Sequence, residues 1–165
     1  MKKLIEKMHN TLKWILIILL AVMVIDVSWQ VFSRYVLQQS SSITEELATF
    51  LLIWVGLLGS AYAYREKAHL GIDLISHKLS SKGKFYSEII VLIVVVLVSF
   101  FVFIFGGMRL VYITYTLNQL SPAMRINMGF IYSVAPITGI LIVLYSVEFF
   151  RVSLNKFTKT NNEEY

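Results

Sequence analysis

The stretch Phe85–Thr116, FYSEIIVLIVVVLVSFFVFIFGGMRLVYITYT, is almost wholly apolar over more than 30 residues. As one α-helix it measures roughly 48 Å at 1.5 Å per residue. That exceeds a hydrocarbon core of about 30 Å, so such a helix crosses a bilayer with tilt or projection to spare. Working outward, three more segments, Leu12–Val36, Thr44–Tyr64 and Gly129–Phe150, each supply the ~20 mostly apolar residues of a membrane span. The expectation is an all-α membrane protein of four transmembrane helices, forming one domain over residues 1–165.

Composition agrees. The chain is 57% hydrophobic and only 15% charged, with unbroken apolar runs where a soluble domain shows separate stripes. It has no cysteine, which excludes disulfides, thiolate metal sites and cysteine nucleophiles. The formal charge of +5 does not mark a nucleic-acid binder, because the basic residues sit at helix ends. The first segment is longer than a signal-peptide core, lacks a small-x-small cleavage site and precedes three more spans, so it is expected to be a retained helix.

Charge also orients the chain. With the amino terminus inside, Lys2, Lys3, Lys7 and Lys13 share the cytoplasmic side with Arg65, Lys67, Lys78, Lys82 and Lys84 of the middle connection. Arg151, Lys156 and Lys159 of the tail join them, which makes twelve of the fifteen basic residues. Only Arg34, Arg109 and Arg125 fall at the opposite face. The positive-inside rule selects this arrangement, with both termini inside. The inner connection Arg65–Lys84 mixes Leu70, Ile72, Leu74, Ile75 and Leu79 with polar residues. That pattern suits a short interfacial helix between the second and third spans. Ser121-Pro122 marks an outer loop, Gly106-Gly107 a bend in the third span, and Pro136 a kink in the fourth.

Function must then be sought in the few polar residues of the spans. Asp26, Gln30 and Ser33 fall on one helical stripe with Arg34 beside it. They form either a proton or cation relay or a polar seam that docks this helix on protein. The seam is favoured, because the other spans supply no acid near mid-depth. Glu45 and Glu46 open the second helix, where acids suit the dipole and Thr44 suits an N-cap. Antiparallel geometry brings them to Arg34, so an outer charge pair is expected with Glu46 or Glu45. Gly56/Ser60 and Gly59/Ala63 are small-xxx-small pairs that let another helix approach closely. His69 and Asp73, four apart, pair if their stretch is helical, but no further ligands cluster with them for a metal. His9 and His77 are expected to be interfacial polar residues. Arg109 and Arg125 are outer-face cations that suit an acidic docking partner.

Taken together, Arg34-Tyr35-Val36, Ile43-Thr44-Glu45-Glu46-Leu47-Ala48, Gly59 and the run Tyr64–Asp73 (YREKAHLGID) resemble the small membrane subunit of tripartite ATP-independent periplasmic (TRAP) transporters. Ser121-Pro122-Ala123-Met124-Arg125-Ile126, followed by Tyr132 and Pro136, extends the resemblance over about Leu12–Arg151. Ile43 stands where the family usually has tryptophan. The resemblance implies pairing with a large membrane subunit that carries the substrate and sodium sites. It also implies a periplasmic binding protein that delivers an organic acid of the dicarboxylate, keto acid or sialic acid class. The small subunit would act as a stator in the bacterial inner membrane, help dock the binding protein, and hold no cofactor itself. Two other classes compete with it. A self-sufficient homo-oligomeric channel or proton-coupled exporter would use Asp26. A membrane enzyme would need a convergent nucleophile, base or metal set, which this sequence does not offer.

Overall fold

The computed structural model describes the backbone at residues 2–39, 41–76 and 81–163, and side chains over 3–39, 41–66, 83 and 86–154. The elements in chain order are α1 (Lys2–Tyr35), α2 (Ser42–Ser76), α3 (Ser81–Val98), a π-helical segment (Ser99–Gly106), α4 (Gly107–Thr116), α5 (Met128–Tyr132) and α6 (Val134–Glu163). Four stretches are long and apolar enough to span a membrane: Lys3–Tyr35, Ser42–Glu66, Tyr86–Thr116 and Met128–Leu154. The chain is thus an all-α, four-span membrane protein.

The helices outrun the apolar segments that announce them. α1 begins ten residues before Leu12, because Ile5, Leu12 and Leu16 form a buried stripe that continues past the lipid-facing run. α2 runs unbroken to Ser76, so the stretch after Arg65 is helical as an extension of the second span and not as a separate short helix.

The third span passes through a π-helical segment that ends at Gly106, just before Gly107. In the fourth span Pro136 lies in the first turn of α6, where a missing N–H costs little. It leaves the Tyr132 carbonyl without an i+4 donor, and the span breaks at Ser133 between α5 and α6. The indole N–H of Trp54 donates to the Ile131 carbonyl at that break, 3.1 Å away.

α1 packs on α2, α2 on α6, and α6 on α3 and the π-helical segment, while α1 makes no contact with the third span among the described residues. The spans therefore form an open row in the order first, second, fourth, third. The fourth is central: 44% of its most apolar stretch is buried, against 6% in the third. A small core of Ile5, Leu12, Leu16, Leu58, Ala61, Val134, Ile142 and Tyr145 joins α1, α2 and α6. Among the described glycines, the closest approach of another helix is between the third and fourth spans. A Cβ at Gly139 would fall 2.8 Å from Ile104 Cγ1 and Phe103 Cβ, and one at Gly107 would fall 2.9 Å from Pro136 Cδ.

Candidate partner interface

At the end of the row expected to face outward, the chain turns from α1 to α2 through a loop with Gln38 at φ 51°. Ser33 Oγ donates to the Gln39 carbonyl at 2.8 Å and steadies this turn. α2 starts at Ser42, three residues earlier than the Glu45 start that an N-cap at Thr44 requires. The Thr44 hydroxyl instead donates back to the Ser41 carbonyl. The two acids of the first turn then diverge, as adjacent helical positions must. Glu45 Oε1 accepts from Arg34 Nη2 at 2.8 Å, in a pair about half exposed on both sides. Glu46 turns the other way: its Oε2 accepts from the backbone N–H of Ala123 at 3.0 Å and of Met124 at 2.6 Å. Arg34 thus pairs with Glu45, and Glu46 is the anchor of the outer loop.

That loop is internally built. Ser121 N–H donates to Ile126 O at 2.8 Å, Ile126 N–H to Ser121 Oγ at 3.2 Å, and Arg125 N–H to Ser121 O at 3.2 Å. Asn127 caps α5 by accepting from Gly129 N–H at 2.9 Å. Asn118 and Arg125 take positive φ, 49° and 56°, which closes the turn tightly and leaves Arg125 exposed. Arg109 is exposed on α4.

Further along α1 from this turn, Asp26 is buried, as is Ser33. Asp26 Oδ2 and Gln30 Nε2 are buried without hydrogen-bond partners, so the stripe is a buried polar seam within the helix row. On α2, by contrast, Gly56 is exposed and a Cβ at Gly56 or Gly59 would meet nothing within 4 Å. Ser60 beside them is exposed and returns its hydroxyl to Leu57 O at 2.7 Å. Ala63 is half-buried. Around Gly56 and Gly59 no helix of this chain comes close, and the glycines where one does, Gly107, Gly129 and Gly139, lie in the third and fourth spans. The His69 and Asp73 side chains lie outside the described residues, although both positions are in helical α2.

The opposite end, expected to face inward, holds a polar knot that sequence reasoning passed over. His9 is buried, stacks on Tyr62 with centroids 4.6 Å apart, and meets Glu66 Oε1 through Nε2 at 2.9 Å. Arg65, expected in a cytoplasmic connection, is buried as well: its Nε lies 3.5 Å from Glu148 Oε2 and its guanidinium 5.4 Å from the Tyr145 ring centroid. Tyr64 OH and Ser146 Oγ are 2.9 Å apart, and Ser153 Oγ donates to Glu88. These contacts tie α1 to α2, α2 to α6 and α6 to α3. The available signal was Glu148 and Glu88, acids inside otherwise apolar segments, which call for partners on neighbouring helices. His9 is thus packed between α1 and α2 by Tyr62 and Glu66.

Among the described residues, no three His, Asp or Glu side chains converge as metal ligands. The polar groups join helices in pairs, and the fold and these pairs define a polytopic membrane protein. Residues 23–155 match the family described as tripartite ATP-independent periplasmic transporters, DctQ component. A Haemophilus influenzae protein named as a TRAP transporter small permease is 30% identical over 146 residues, 86% of each chain. The small permease protein SiaQ of a Vibrio cholerae sialic acid TRAP transporter is 33% identical over 98 residues, 59% of this chain and 56% of that one. The sialic acid TRAP transporter permease protein SiaT of Haemophilus influenzae is 36% identical over 81 residues, 48% of this chain but 13% of that longer protein. The chain belongs to the DctQ component family, the small permease subunits of TRAP transporters. It is a multi-pass inner-membrane transporter subunit and not an enzyme.

Proposed function

We propose that this chain is the stator of a sodium-coupled, binding-protein-dependent importer of an organic acid, of the dicarboxylate, keto acid or sialic acid class. It pairs with a large membrane permease that carries the substrate and sodium sites. Both its termini are cytoplasmic, and the end of α2 lies along the inner headgroup region. The observation that carries this reading is the open, small-residue face of α2. Gly56 and Gly59 have nothing above them in a row of helices that buries little of itself. Helices associate in lipid where small residues permit close approach, and such a face left bare is suited to a helix of another chain. The match to a segment of the much longer SiaT permease supports a large membrane partner.

At the outer surface the Glu46-anchored loop presents Arg125, and α4 presents Arg109, for an acidic patch on a periplasmic binding protein. Charge reversal at both arginines is expected to lower uptake by the assembled transporter while leaving subunit co-purification intact, and unchanged uptake would remove this role. Gly59→Leu is expected to reduce recovery of the large permease with the tagged chain, whereas equal recovery would place Gly59 against lipid. The chain alone is expected to bind no organic acid, as measured by calorimetry in detergent.

The burial of Asp26 with an unpartnered carboxylate oxygen keeps a second reading in play, a small homo-oligomeric channel or proton-coupled exporter. Asp26→Asn separates the two. Loss of flux or a shift in its pH dependence supports the exporter, and a loss confined to assembly supports the stator.

A further inference from the structure

α1 carries a second surface, on the side away from α2. Lys3, Lys7, Asn10 and Trp14 follow at spacings of four, three and four, which places them on one stripe. All four are exposed, and Trp14 is 64% exposed. The buried stripe of Ile5, His9, Leu12 and Leu16 lies on the opposite side of the helix. Beyond Trp14 the outward stripe continues through Ile18, Ala21, Ile25, Trp29 and Phe32, all exposed. It carries no charge after Lys7.

Along the axis Lys7 stands about 10 Å from Trp14, and Trp14 about 22 Å from Trp29. Tryptophan marks the boundary between headgroups and acyl chains. Two tryptophans on one face therefore bracket an apolar run that covers most, though not all, of a hydrocarbon core of about 30 Å, and the lysines reach beyond it into the headgroup layer. Among the described residues no carboxylate forms an ion pair with Lys3, Lys7 or Lys13. The nearest acid along the helix is Glu6, off the stripe, and Lys13 is an additional exposed cation beside Trp14.

We propose that this face of α1 binds an anionic phospholipid of the cytoplasmic leaflet. Its phosphate is held by Lys3 and Lys7 with Asn10 as a neutral donor, and its acyl chains lie over Trp14, Ile18 and Ile25. An acidic protein segment would match the lysines but not the uninterrupted apolar run below them, whereas one lipid molecule matches both. The proposal rests on the inward placement of the amino end of α1. It also assigns the outer edge of the helix row to lipid, which leaves the small-residue face of α2 for the large permease.

The test is native mass spectrometry of the tagged full chain, co-purified with its large permease and titrated with phosphatidylglycerol or with phosphatidylcholine. Phosphatidylglycerol is expected to bind more tightly than phosphatidylcholine, and Lys3→Gln with Lys7→Gln to weaken it by about fivefold per lysine. Lys3→Arg with Lys7→Arg is expected to retain binding, which separates lost charge from misfolding. Equal binding of the two lipids, or unchanged phosphatidylglycerol binding in the glutamine pair, would overturn the proposal. Recovery of the large permease in the same preparations reads the stator assignment separately, so either can fail without the other.

Discussion

Glu45 and Glu46 are chemically identical neighbours, and geometry makes them unequal. The Arg34–Glu45 pair is half exposed, where ion pairs contribute about 0–1 kcal/mol. Glu46 accepts two backbone N–H bonds from the outer loop, and bonds to a charged group contribute about 1.5–3 kcal/mol each. Glu45→Ala is therefore expected to leave thermal stability in detergent nearly unchanged. Glu46→Ala should lower it and speed amide exchange at Ala123 and Met124. Equal effects of the two substitutions would show that the outer loop does not depend on Glu46. The inner knot follows the same logic more steeply. Arg65→Met leaves Glu148 buried without its partner, a loss of about 3–5 kcal/mol, whereas Arg65→Met with Glu148→Leu replaces both charges and should recover most of it. Thermal unfolding of the two variants decides, and a double variant no better than the single would argue that the Arg65–Tyr145 contact matters more than the ion pair.

Glycines in the helices divide into two kinds that spacing could not distinguish. At Gly139 an added methyl meets Phe103 and Ile104 at 2.8 Å, so Gly139→Ala should destabilise the chain by about 1–3 kcal/mol through overpacking. At Gly56 and Gly59 the same methyl meets open space, and alanine should raise helix stability by up to about 1 kcal/mol per site. Thermal midpoints of the purified chain check both, and a stable Gly139→Ala would place the spans farther apart than they are here. The small-xxx-small pattern was legible in the sequence, but which partner it serves was not, because a glycine pattern is the same whether a helix lies over it or not. Pro136 was legible as an irregularity; that the fourth span breaks at Ser133, with Pro136 in the first turn of α6, depends on the Tyr132 carbonyl losing its donor. The π-helical segment has no signature in so uniform an apolar run as Ile89–Phe105. The acids Glu88 and Glu148 were visible in the sequence, yet their partners, Ser153 and Arg65, lie 65 and 83 positions away along the chain, a distance that only packing bridges.

Four spans arranged in an open row make an incomplete body. The span count was readable from hydropathy because lipid forces every backbone group into a helix. The order first, second, fourth, third was not, because it depends on side-chain pairs such as Trp54 with Ile131 and Tyr64 with Ser146. Such a row has too little interior to enclose a substrate and much side surface to offer a neighbour. A DctQ-family chain with this shape is expected to sit beside a larger permease, with the bare face of α2 against it and the lysine–tryptophan face of α1 in lipid. The decisive measurement is affinity purification of the tagged wild-type and Gly59→Leu chains from native membranes in mild detergent, with mass spectrometry of what accompanies them. A large polytopic permease recovered in near-equal amount with the wild-type chain, and depleted with Gly59→Leu, is the predicted result. A wild-type chain recovered alone as a defined homo-oligomer would contradict it.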